Sequence, residues 1–129
     1  MLGEFRGDDG IIVADFEAGV GTLSRMEAGQ ADAFAVVAEP SAKSLEVARW
    51  AVDLIEGGSL GQLVVLANRV GIPEDERRIR DAFDGRQVLV IPDDPAIRAA
   101  DFLGLAPFDT APSAPAVVAL GGVVSLLLG

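Results

Sequence analysis

The sequence has 129 residues and a mass of 13.3 kDa, the length of one ordinary domain with a single core, which excludes a multidomain enzyme within this polypeptide. Hydrophobic residues make up 50% and charged residues 23%, with a mean hydropathy of +0.40, a composition that folds rather than one that stays disordered. Twenty acidic residues against ten basic ones leave a net charge of -10, which disfavours direct binding to nucleic acid or anionic lipid. The absence of Cys and His excludes disulfides, thiol nucleophiles, thiolate metal sites and imidazole bases.

Residues 1–10 carry Glu4, Arg6, Asp8 and Asp9 around no apolar core and do not resemble a signal peptide, so a cytoplasmic protein is expected. Residues 11–15 (IIVAD) then read as a first strand, and 33–39 (AFAVVAE) as a second. A helix follows Pro40, with Ser41 as N-cap, a stripe of Val47, Ala48, Ala51, Leu54 and Ile55, and Gly57 and Gly58 as its stop. Residues 62–68 (QLVVLAN) form a third strand. A helix opening at Pro73 comes next, with Glu74, Asp75 and Glu76 at its positive end, Ile79, Ala82 and Phe83 as its buried stripe, and Arg77, Arg78 and Arg80 on its wet face. Residues 87–91 (QVLVI) are the fourth strand, and 106–115 (APFDTAPSAP) a turn-rich connector. The apolar run 114–129 is shorter than the roughly 20 residues of a membrane span and has no Lys or Arg for interfacial anchoring, so a buried terminal segment is expected. Near-continuous apolar strands alternating with helices predict an α/β domain with a mostly parallel sheet covered on both faces. Residues 1–129 are expected to be one domain.

Polar residues collect at the carboxyl ends of these strands, the edge where open parallel sheets bind ligands. Asp15 ends the first strand and Gly19 follows shortly after. Glu39, Ser41, Lys43 and Ser44 follow the second, Asn68 and Arg69 the third, and Pro92, Asp93 and Asp94 the fourth. A strand-ending Asp is also an ordinary cap or turn former. Lys43, the sole lysine, reads in isolation as a solvated surface residue. Asp8, Asp9, Asp93 and Asp94 carry oxygens suited to a hard cation, although acids clustered in loops are ordinarily just solvated.

Taken in order, DFEAG, VVAEPSAKSLEVAR, VVLANRV, VLVIPDD and AADFLGLAPFD resemble the second half of the MinD/ParA class of P-loop ATPases, with a partial SIMIBI-type fold. Within that class the pattern is most similar to the CooC type, ATPases associated with maturation of carbon monoxide dehydrogenase. The resemblance implies ATP and Mg²⁺ as cofactors, with Asp15 as the Walker-B aspartate acting on Mg²⁺ through water and Gly19 as the switch glycine. It implies that Asn68 reads the adenine edge and that Pro92 and Asp93 line the base pocket, and it places Glu17 in a loop that couples nucleotide state to partner contacts.

Two departures accompany the resemblance. No G-x-x-x-x-G-K-[ST] segment is present, since GVGTLSR at residues 19–25 lacks the lysine and the spacing. The Cys-x-Cys pair of nickel-inserting CooC proteins has no counterpart either. The chain is therefore expected to be the C-terminal half of such a domain, with negligible ATP hydrolysis by itself. In the family's sheet the P-loop strand lies between the Walker-B strand and the strand at 33–39, so a homodimer or a partner completing the sheet is implied, and a metalloenzyme is a further implied partner. The alternative is a non-catalytic α/β interaction module that has lost nucleotide binding. A DNA-segregation role of the ParA type is disfavoured by the charge.

Overall fold

The computed structural model describes residues 10–16 and 20–129. A short helix α1 (Val20–Ser24) precedes β1 (Ala33–Ala38), α2 (Ala42–Gly57), β2 (Gln62–Val70), α3 (Pro73–Ala82) and β3 (Val88–Pro92), and α4 (Pro95–Leu103), α5 (Pro107–Thr110) and α6 (Pro115–Leu128) complete the chain. The three strands form one parallel sheet in the order β1-β2-β3, pairing Ala33 with Gln62 through Ala38 with Ala67, and Val65 with Val88 through Ala67 with Val90. This is the α/β architecture with flanking helices that the sequence predicts.

Consecutive parallel strands that advance in one direction through right-handed crossovers place both connecting helices on the same face. Accordingly α2 and α3 share one layer. Phe34, Val36 and Ala38 of β1, Val65 and Ala67 of β2 and Val88 of β3 meet Leu45, Ala48, Val52 and Ile55 of α2, with Ile79 of α3 and Phe83 just beyond it. Ser41 Oγ accepts from the Ser44 amide at 3.2 Å and Gly58 closes the other end of α2, as the sequence indicates. On α3, Arg77 pairs with Glu74, and Arg80 with Glu76 at 3.0 Å, on an exposed face.

The opposite face of the sheet is left to α6. Val64 and Leu66 of β2 and Ile91 of β3 pack there against Ala116 and Val123, with Leu89, Ile97 and Leu126 around them. The turn into β2 favours a glycine, because a Cβ on Gly61 would crowd the carbonyl oxygens of Ala31 and Asp32 at 3.0 Å.

Three expectations are corrected. Residues 11–15 are not a strand. Ile11, Ile12 and Val13 are exposed, because no strand among the described residues lies beside them and an extended segment without a ladder has no partner for its backbone groups. β1 is covered on one face only: Phe34, Val36 and Ala38 are buried while Ala35 and Val37 are exposed, since α6 stands over β2 and β3. The terminal segment, expected to be buried, is the helix α6 and is only half covered, with Val118, Leu120, Val124 and Leu128 exposed.

Phe83, only 1% exposed, plugs the junction of α3 with the sheet. Replacing Phe83 by Ala is expected to lower the unfolding free energy by roughly 3–5 kcal/mol, measured by urea denaturation as a lower midpoint at unchanged slope.

Candidate functional site

The parallel register brings the ends of all three strands to one edge. β2 leaves the ladder through an irregularity: its pairing with β3 runs from Ala67–Val90 to Val70–Pro92, so residues 68 and 69 together face the single residue 91. Such a bulge bends the strand and re-aims its side chains. Arg69 carries the strain, at φ 58°, a left-handed conformation that non-glycine residues adopt at a cost. Its guanidinium reaches Glu39 at the end of β1, 3.7 Å away.

Asn68 is half-buried on this bulge, and its side-chain amide makes no hydrogen bond to any described residue. A strand-end cap would use that amide on the backbone. Here both its donor and its acceptor stay available. Pro92, half-buried, is the last residue of β3, and the Asp93 amide donates to the Val70 carbonyl at 2.9 Å, which ties the two strand ends together. The structure therefore brings Asn68, Pro92 and Asp93 to one place. Beside them, the Glu39 amide donates to Ser44 Oγ at 2.8 Å, and Lys43 lies exposed in the first turn of α2 without an ion pair.

Asp15 is not brought into this edge. It lies in the exposed irregular segment 10–16, outside the sheet, while Gly19 and Glu17 fall outside the described residues. The acids at the end of β3 are also committed elsewhere than to a cation. Asp93 holds Arg98 at 2.7 Å. Asp94 is buried, and its two oxygens accept from different helix N-termini: Oδ1 from the Ala96 amide of α4 at 2.9 Å, Oδ2 from the Ala116 amide of α6 at 3.0 Å. The Asp-Pro-Ala pattern signals the first bond as an N-cap. The second joins residues 22 apart and has no local sequence signal. Among the described residues, no group of three or more potential metal-ligating side chains is assembled.

A groove of about 640 Å³ runs between α2 and α3 past Trp50, flanked by Arg49 and Arg78 and by Asp53 and Asp81. Its opposed charges favour no one class of ligand, and it includes none of Asn68, Pro92 and Asp93.

The sequence is 32% identical over 103 residues to the carbon monoxide dehydrogenase accessory protein CooC of Rhodospirillum rubrum. The chain is similar to CooC. The match covers 79% of this chain and 39% of CooC, so the chain spans well under half of that relative's length. No family model matches the chain. The similarity to CooC agrees with the CooC-type resemblance carried by the motifs.

The fit to ATP and Mg²⁺ divides at the base. The free amide of Asn68 beside Pro92 suits a heterocycle with adjacent donor and acceptor atoms. The phosphate end does not fit the described residues, which contain no glycine-rich cradle with its lysine and no clustered ligands for Mg²⁺.

The two bonds at Asp94 predict a pH dependence. Hydrogen bonds from the Ala116 and then the Ala96 amide, with a smaller contribution from Arg98, hold its carboxyl below the usual aspartate range against the opposing effect of desolvation. A folded-state value below the unfolded one gives stability that is fully present above the unfolded value and lost as pH falls through the folded value. Stability is therefore expected to decline from about pH 4 downward. The Asp94→Asn variant should unfold at a lower denaturant concentration at neutral pH and show a flatter profile in that acid range, as measured by denaturation at a series of pH values.

Proposed function

We propose that this chain carries the base-recognition side of an adenine-nucleotide site in a CooC-like ATPase, working in the cytoplasm on the maturation of a metalloenzyme. The observation that carries this reading is the unpartnered amide of Asn68, held half-buried by a bulge at the carboxyl edge of a parallel sheet. One Asn amide donates to a ring nitrogen of adenine and accepts from its neighbouring exocyclic amino group, a pairing that discriminates against guanine by about 1–3 kcal/mol when both bonds form. Pro92 offers an apolar surface to the base. Asp93, with its amide bonded to Val70 and its carboxylate to Arg98, shapes the pocket and does not read the base.

The chemistry of hydrolysis is assigned to parts that the described residues do not assemble. Binding of the phosphates and Mg²⁺, the actions of Asp15 and Gly19, and ATP turnover belong in this proposal to the whole ATPase domain, of which this chain is the C-terminal half. A strand completing the sheet, from the same chain, a homodimer partner or another protein, would stand beside β1.

A second reading, a non-catalytic interaction module, has its own support. The outer edge of β1 is unpaired among the described residues, and Val37 is 55% exposed beside it. Such an edge offers hydrogen bonds to another chain.

Calorimetric titration with AMP and GMP separates the two readings. The wild-type chain is expected to prefer AMP, and Asn68→Ala to weaken AMP binding by about tenfold with an unchanged melting temperature, because that amide supports nothing in the fold. Binding of neither nucleotide would favour the interaction module, and equal binding of AMP and GMP, or an Asn68→Ala chain that binds AMP as the wild type does, would contradict base reading by Asn68.

A further inference from the structure

The turn from α4 into α5 stands out from the body of the domain. Among residues 101–110 only Pro107 is even half-buried. Four large apolar side chains in this stretch are exposed: Phe102 at 89%, Leu103 at 65%, Leu105 at 51% and Phe108 at 74%. Isolated exposed apolar residues are ordinary, but four within seven consecutive positions make a local patch, and such patches mark interaction sites. None of the four belongs to either hydrophobic core, so the described residues leave them uncovered.

The turn itself is well built. Gly104 closes α4 at φ 68°, where an L side chain is strained, with its amide bonded to the Asp101 carbonyl at 3.0 Å, and Leu105 donates back to Ala100 at 2.9 Å. The Ala111 amide closes α5 onto Pro107 at 2.8 Å. The two phenylalanines are thus presented on α4 and α5 at either side of a hydrogen-bonded turn, and a preorganised contact loses less entropy on binding.

Charge states what fits against this patch. Asp101 immediately precedes Phe102 and Asp109 immediately follows Phe108; both carboxylates are exposed and neither has an ion-pair or hydrogen-bond partner. The nearest cation, Arg98, is held by Asp93, and no Lys or Arg occurs from residue 99 to the end of the sequence. An anionic membrane would meet two uncompensated carboxylates with no cation to offset them. A second copy presenting the same patch would bring like charges together.

We propose that the α4–α5 turn is a docking surface for a protein partner whose contact segment is apolar and basic, seating its apolar side chains on Phe102, Leu103, Leu105 and Phe108 and its Lys or Arg on Asp101 and Asp109. Aromatic anchors with a charged rim are the usual energetic centre of such an interface. The surface is independent of the nucleotide reading.

The test uses the full chain and three probes: an amphipathic helical peptide of leucine and lysine, its leucine and glutamate counterpart, and phosphatidylglycerol vesicles. The double variant Phe102→Ser/Phe108→Ser removes only exposed side chains and should melt with the wild type. The lysine peptide is expected to bind the wild-type chain, with affinity falling about tenfold in that variant and by a similar factor in Asp101→Asn/Asp109→Asn. The glutamate peptide and the vesicles are expected not to bind. Equal binding of the lysine peptide to wild type and to the phenylalanine variant would overturn the proposal. So would vesicle binding, or wild-type self-association in sedimentation equilibrium, that the variant loses.

Discussion

β2 is paired on both edges and covered on both faces, and four consecutive residues, Val64 to Ala67, are buried. Within such a strand every backbone group is satisfied by a neighbour, and every side chain must be apolar and of a size that its layer admits. That constraint organises both cores: Val65 and Ala67 anchor the α2–α3 layer, Val64 and Leu66 the α6 layer. It also decides where chemistry can begin, because a polar side chain is tolerated only where β2 leaves the ladder. The departure is the bulge at Asn68 and Arg69, where the Asn68 amide is half-buried and without a partner.

The edge is held in shape by bonds on either side of that amide. Asp93 ties the end of β3 to Val70, Arg69 reaches Glu39 across the end of β1, and Ser44 fixes the Glu39 amide. Asp94 then bonds both α4 and α6 and so links the last strand to the helix that covers the second face. A carboxylate bridging two helix N-termini is stabilised by both dipoles. Of the two acids after β3, one pairs with an arginine at the surface and the other joins the layers.

Much of this was legible in the sequence because the signals are local. Ser41 and the paired glycines bound α2, Pro73 opens α3, and the apolar run from residue 62 reads as a strand covered on both faces. What was not legible depends on neighbours. In AFAVVA every residue is apolar, so the alternation of buried and exposed positions in β1 is written in the placement of α6 rather than in the strand. Residues 11–15 have strand composition, yet composition supplies no ladder. At the site, the rule that ligand-facing residues end parallel strands marks the whole edge from Glu39 to Asp94, and it was the family resemblance that singled out Asn68, Pro92 and Asp93, which lie at the neighbouring ends of β2 and β3. The left-handed Arg69 and the Ala116 bond of Asp94 required coordinates, because one depends on a register irregularity and the other on a contact across 22 residues.

Apolar side chains also stand in solvent on the open face of β1, on residues 11–13, on the outer side of α6 and at the α4–α5 turn. The α4–α5 turn does not bear on the central claim, that the bulge at Asn68 faces a nucleotide base. NMR of the isotopically labelled chain titrated with AMP tests that claim most directly. The account predicts saturable shifts centred on the Asn68 side-chain amide and on residues 69, 70, 92 and 93, with α4 and α5 unchanged. Shifts confined to other elements, or none at saturating nucleotide, would contradict it.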